Sequence, residues 1–69
     1  MDIFSLRLRD LRGEHSLTKT QLAAAIGTTY DCIYSWENGR SQPSIEMIRA
    51  LCKVFEVSSD YLLGISDNL

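Results

Sequence analysis

Between Thr18 and Gly39 the chain is punctuated so closely that only short helices fit. Thr18 followed three residues later by Gln21 is a capping-box arrangement. The threonine hydroxyl can accept from the third helical N–H, while the glutamine amide returns to the cap. Leu22, Ala23 and Ile26 then recur at helical spacing as an inner stripe. Gly27 ends the segment, because glycine takes positive φ at no steric cost. Thr28 is expected to cap a further helix at once, and that helix closes on Asn38-Gly39.

The same grammar runs through the rest of the chain. Ile3, Phe4, Leu8 and Leu11 make an amphipathic first helix, expected to fade near Gly13. Ser44 is the next cap, with Pro43 keeping the chain extended before it. Ile45, Ile48, Leu51, Cys52 and Phe55 are expected to form one apolar face behind that cap. A last short helix, capped by Ser58 or Ser59, places Leu62 beneath the others and stops at Gly64. The expectation is an all-α chain of five short helices, residues 1–69 forming one small domain without repeat, linker or strand.

Composition excludes several classes. The longest apolar run is far below the ~20 residues that span a bilayer. The opening MDIFSLRLRD mixes charges into its apolar residues, so it does not read as a signal peptide. Cys32 and Cys52 lack metal-ligand spacing, and His15 is the single histidine, so no metal or other cofactor is expected. Free cysteines in apolar patterns suit a reducing cytoplasm. No nucleophile, paired base or phosphate-cradling glycine loop suggests an enzyme.

The stretch TTYDCIYSWENGR carries the functional signal. On a helix Ile33 and Trp36 can point inward, which leaves Tyr30, Asp31, Tyr34 and Ser35 on an aromatic, polar outside. The formal net charge of −2 forbids strong, indiscriminate affinity for DNA. The deficit lies in residues 41–69, where Arg49 and Lys53 face Glu46, Glu56, Asp60 and Asp67; residues 1–40 balance to zero.

A helix, a short glycine turn and a second steeply crossing helix describe the helix-turn-helix unit. Here the chain resembles the phage repressor/Cro-type helix-turn-helix regulators, through LRLRDLR, SLTKTQLAAAIGTT, WENGRSQPS and IRALCKVFEVSSDYLLG in order. The resemblance implies a compact five-helix lambda-repressor-like domain, with the helix-turn-helix at about residues 18–38. It further implies a DNA-binding transcriptional regulator, expected to be a repressor, in a bacterial or phage-infected cytoplasm at the nucleoid.

Carried onto this sequence, the resemblance puts Thr29, Tyr30, Asp31, Tyr34 and Ser35 forward as base contacts in the major groove. Threonine methyl and tyrosine ring can touch a thymine methyl, Asp31 can accept from a cytosine amine, and Ser35 can bond several edges. Asp31 also suits a first helical turn on its own account, and Tyr30 can instead cover an apolar neighbour. Lys19, Thr28, Asn38 and Arg40 are the expected phosphate contacts, with Gln42 a weaker one. Lys19 replaces a glutamine usual in the family. Arg12 and Glu37 match positions that form a structural ion pair, so Glu37 stays off the contact set.

Partners implied are a double-stranded, pseudo-palindromic operator and a second copy of the chain, at least on DNA. Tyr61, Leu63 and Ile65 are the expected dimer patch, unless they merely finish the core. Two features depart from the family: Ser16 stands where a glycine is usual, so either helix one ends a turn early or His15 or Ser16 takes left-handed geometry, and the C-terminal half is acidic. A protein-interaction module on the same scaffold, antitoxin-like or a coactivator, is the alternative.

Overall fold

The computed structural model describes residues 2–69, which form α1 (Ile3–Glu14), α2 (Lys19–Ile26), α3 (Tyr30–Glu37), α4 (Ile45–Phe55) and α5 (Ser59–Leu63). No strand occurs among the described residues. Every helix starts alike. Asp2, Thr18, Thr29, Ser44 and Ser58 lie in extended backbone, and each side chain accepts the N–H three residues on. Each cap thereby satisfies one of the donors that a helix start leaves orphaned. At Thr18 the box is complete: Thr18 N donates to Gln21 Oε1 at 2.9 Å and Gln21 N to Thr18 Oγ1 at 3.0 Å.

One expected boundary is corrected. The cap of α3 is Thr29, not Thr28, because the Thr28 N–H is committed to Ala23 O at 2.9 Å and so belongs to the ending of α2. Helix α1 ends at Glu14, beside the expected Gly13. The chain reverses at Ser16, which takes φ 54, and Leu17 N returns to Arg12 O at 3.1 Å. A serine in the left-handed region is strained, and that hydrogen bond helps hold it there.

The centre of the molecule is built from one fully buried apolar residue per helix: Leu8, Leu22, Ile33, Leu51 and Leu62. Each such side chain contributes about 1.5–3 kcal/mol relative to exposure. Phe4, Leu11, Ala23, Ile26, Trp36 and Phe55 surround them. The expected apolar face of α4 is shorter than its pattern: Ile45 is 72% exposed. It occupies the first helical position, where α4 begins beyond the edge of the core.

Helix α1 packs against both α3 and α5, and α4 lies against α2 and α5. On its α5 side, Arg7 sits over the Tyr61 ring at 4.2 Å, donates to Tyr61 O and Ser66 O, and pairs with Asp67 at 2.6 Å. The tail after α5 therefore folds back, and Ser58 N donates to Leu69 O at 3.0 Å.

Candidate nucleic-acid interface

The turn between α2 and α3 is only three residues, Gly27 to Thr29. Gly27 takes φ 78, and its N–H and that of Thr28 both reach Ala23 O. Both donors are used up ending α2, so the chain is free to start α3 in a new direction at Thr29. Helix α3 then buries Ile33, Trp36 and Glu37, and leaves Tyr30, Asp31 and Tyr34 exposed and Ser35 half-buried.

On the outer face Tyr30 and Tyr34 stack, with ring centroids 6.3 Å apart and planes 20° from parallel. The Arg40 guanidinium lies over the other ring of the pair, Tyr34, at 5.7 Å from its centroid. An exposed cation–π contact of this kind is worth about 0.5–1 kcal/mol, enough to bias Arg40 but not to fix it. Ser35 Oγ lies 2.8 Å from Ser41 Oγ, and the Asn38 amide donates to Tyr34 O at 2.7 Å. Tyr30, Tyr34, Ser35, Asn38 and Arg40 are thus gathered on one surface. Thr29 is exposed beside it with its hydroxyl accepting from Cys32 N, and Thr28 is half-buried in the turn. Lys19 is half-buried on a different element, at the first position of α2.

Cys32 was not read from the sequence as part of this surface. It lies in the first turn of α3, and the hydroxyls of Thr28 and then Thr29 hold its thiol below the ordinary cysteine range. Cys52, by contrast, is pushed up by burial. Among the described residues no group of three His, Cys, Asp or Glu could hold a metal, and no helix is long and apolar enough to cross a membrane.

A family model described as helix-turn-helix matches residues 8–62, from within α1 to within α5. The chain belongs to the helix-turn-helix family. It is 35% identical over 66 residues to an uncharacterized HTH-type transcriptional regulator, YobD of Bacillus subtilis (strain 168), across 96% of this chain and 59% of the relative. It is 35% identical over 61 residues to the HTH-type transcriptional activator BcrR of Enterococcus faecalis, across 88% of this chain and 30% of that one. The helix-turn-helix chain described here therefore spans only part of the length of these relatives. Among solved structures, the P22 c2 repressor protein in complex with a synthetic operator superposes with a TM-score of 0.86 at 28% identity, over 91% of this chain and 96% of that one.

In this helix-turn-helix domain α1 holds the last turn of α3 at several points. The Glu37 side chain is 1% exposed and accepts from Arg12 Nε at 2.6 Å and Arg12 Nη2 at 3.1 Å. Arg9 adds its Nη2, which donates to Glu37 O at 3.2 Å, and its Nε lies 3.9 Å from Glu37 Oε1. Arg12 also donates to Leu17 O at 2.9 Å. The hydrogen bond to Glu37 raises the Arg12 pKa against the opposing pull of burial. Ser5, itself buried, donates its hydroxyl to Trp36 O at 2.6 Å. Among the described residues no buried side-chain nitrogen or oxygen lacks a partner.

Ser5 and Arg9 were missed by the sequence reading. The available signal was their spacing, since Ser5, Arg9 and Arg12 fall at i, i+4 and i+7 and share one face of α1. Of the residues expected at a dimer patch, Leu63 and Ile65 are exposed, while Tyr61 is half-buried with its ring beneath Arg7.

Proposed function

We propose that this domain is part or all of a sequence-specific double-stranded DNA-binding transcriptional regulator that represses by occupying its operator. The observation that carries the reading is the outer face of α3, where two exposed, stacked tyrosines and a carboxylate project from a helix that follows a tight turn. Exposed rings on a helix whose other side is fully packed have no internal use. A major groove would cover them. The likeness to a repressor domain bound to a synthetic operator supports the same placement.

Tyr30, Asp31, Tyr34, Ser35 and Thr29 read base edges in this account, and Lys19, Thr28, Asn38 and Arg40 grip phosphate. Ser5, Arg9 and Arg12 act through α3 rather than on DNA. One helix covers about half an operator, so a two-fold dimer places two copies of α3 roughly 34 Å apart on a pseudo-palindromic site. Leu63 and Ile65, with the edge of Tyr61, form its contact. The work takes place in the bacterial cytoplasm and uses no cofactor and no bond-making chemistry.

Selection from a random duplex library, followed by shift titrations over a range of salt, tests the proposal. Arg40→Ala is expected to weaken all DNA alike and to lower the salt slope by about one. Tyr30→Ala is expected to cost about 1–3 kcal/mol on the selected duplex and little on random DNA. No enriched sequence, with both variants binding as the parent does, assigns the face to a protein partner instead.

A further inference from the structure

The ten residues from Thr28 to Glu37, which make the turn and the outward helix, contain no arginine, lysine, asparagine or glutamine. Those four side chains are the ones that read purines through paired hydrogen bonds, Arg or Lys at guanine O6 and N7, Asn or Gln at adenine N6 and N7. The nearest substitutes are engaged elsewhere. Asn38 donates its amide to Tyr34 O at 2.7 Å, and Gln21 spends its amide oxygen on Thr18 N at 2.9 Å. Arg40 lies beyond the end of α3, biased toward the Tyr34 ring and placed by the proposed function on phosphate. The Ser35 hydroxyl faces Ser41 and the Thr29 hydroxyl accepts from Cys32 N, so each has a single oxygen to offer a base edge and not the pair of atoms that a purine takes.

What the face does offer is narrow. Asp31 is an exposed carboxylate in the first turn of α3, and Tyr30 and Tyr34 are a stacked, exposed pair of rings. A carboxylate only accepts. In the major groove it gains from cytosine N4 or adenine N6 and is repelled by guanine N7 and O6 and by thymine O4. Adenine sets its N7 acceptor beside its amine, whereas cytosine sets a C–H there, so the second carboxylate oxygen favours cytosine. The rings seek an apolar group, and the one apolar group in the major groove is the thymine 5-methyl.

Resting on the proposed function, we infer that the half-site is read through its pyrimidine edges: a cytosine amine on Asp31 and thymine 5-methyl groups against Tyr30 and Tyr34, with no purine-reading pair of hydrogen bonds. The two rings already lie near-parallel with centroids 6.3 Å apart, so less side-chain freedom is lost on docking than for two unpaired rings.

The test begins with the duplex enriched by the unmodified chain from a random library. Each thymine of its half-site is then replaced by deoxyuridine, which removes the methyl and nothing else. At one or two positions this is expected to weaken binding about 3- to 5-fold, the worth of one buried methyl. Asp31→Ala is expected to flatten the preference at one base pair, where cytosine had been favoured by about 5- to 150-fold. Asp31→Asn is expected to move that preference to adenine, which a carboxylate acting only on the helix dipole would not do. Circular dichroism checks that both variants keep their helices. If a duplex is enriched but deoxyuridine is indifferent and Asp31→Ala alters all sequences alike, this inference fails while the proposed function stands. If no duplex is enriched, both fail.

Discussion

Arg12→Ala removes both side-chain hydrogen bonds from a carboxylate that is 1% exposed and leaves it without its main cationic partner. Stranding a buried charge in this way costs about 3–5 kcal/mol. Arg9 moderates the loss, because its Nε lies 3.9 Å from Glu37 Oε1, but its side chain is 46% exposed and partly screened. The Leu17 carbonyl also loses its Arg12 donor. We therefore expect Arg12→Ala to cost about 3 kcal/mol, near the lower end of that range. A domain of this length has about 3–10 kcal/mol in total, so the loss is from about a third of that stability to all of it.

Glu37→Gln behaves differently, because the Arg12 side chain it releases is 17% exposed and can rehydrate. The decisive case is the double variant. With no carboxylate left to strand, Arg12→Ala/Glu37→Gln is expected to be more stable than Arg12→Ala alone. Urea melts followed by circular dichroism measure all three against the parent, provided the slopes agree. Arg12 keeps its charge throughout. Its raised pKa contributes stability that is complete below the unfolded value and lost only as pH rises through the folded one, both far above neutral. The comparison is thus insensitive to Arg12 titration near neutrality. Costs that add within about 0.5 kcal/mol would refute the coupling.

Other expectations are simpler to check. A thiol reagent at neutral pH should modify Cys32 faster than Cys52, since the Thr28 and Thr29 hydroxyls favour the Cys32 thiolate while burial disfavours that of Cys52; equal rates would contradict this. Gly64→Ala should cost about 2 kcal/mol or more, because φ is +84 there and a Cβ would lie 2.6 Å from Ile3 Cγ2. Gly27→Ala, also at positive φ but with open space around it, should cost only about 1 kcal/mol, and thermal melts showing the reverse order would count against the packing of α1 on α5. Ser5→Ala should cost about 0.5–1.5 kcal/mol by removing the buried hydroxyl bond to the Trp36 carbonyl, which keeps Gly39 N as a donor at 3.3 Å, and an unchanged melt would contradict that contribution.

Much of the fold was legible because its signals are local. A threonine with a glutamine three residues on, or a serine before an apolar run, announces a helix start whatever surrounds it, and Thr18, Ser44 and Ser58 are caps in the structure. Two adjacent threonines gave no such answer. Thr28 and Thr29 have equal capping chemistry, and the choice between them depends on which N–H closes α2. Left-handed geometry at Ser16 was one of the expected outcomes of the missing glycine there, but at Glu56 it was not legible, since glutamate does not favour that geometry and only the path of the chain demands it. At Ile45 periodicity gave the direction of a face but not where the core stops. The division of α3 into inner and outer sides followed from spacing alone. The contacts of Arg40 with Tyr34 and of Ser41 with Ser35 did not, because they depend on how the loop after α3 turns back.

Helix α1 contributes no residue to the outward face, yet it controls where that face points. Along one side Ser5, Arg9 and Arg12 hold Trp36 O, Glu37 O and the Glu37 carboxylate, all in the last turn of α3. Arg7 lies on the side toward α5 and holds Tyr61 O, Ser66 O and Asp67. In the proposed dimer the outward helix and the contact between copies are therefore fastened to the same rigid rod. Two half-site readers must keep a fixed separation to engage one operator together. A frame that fixes both ends of that distance explains why so small a chain buries an ion pair: it offers little stability over an apolar replacement, but its direction is specific.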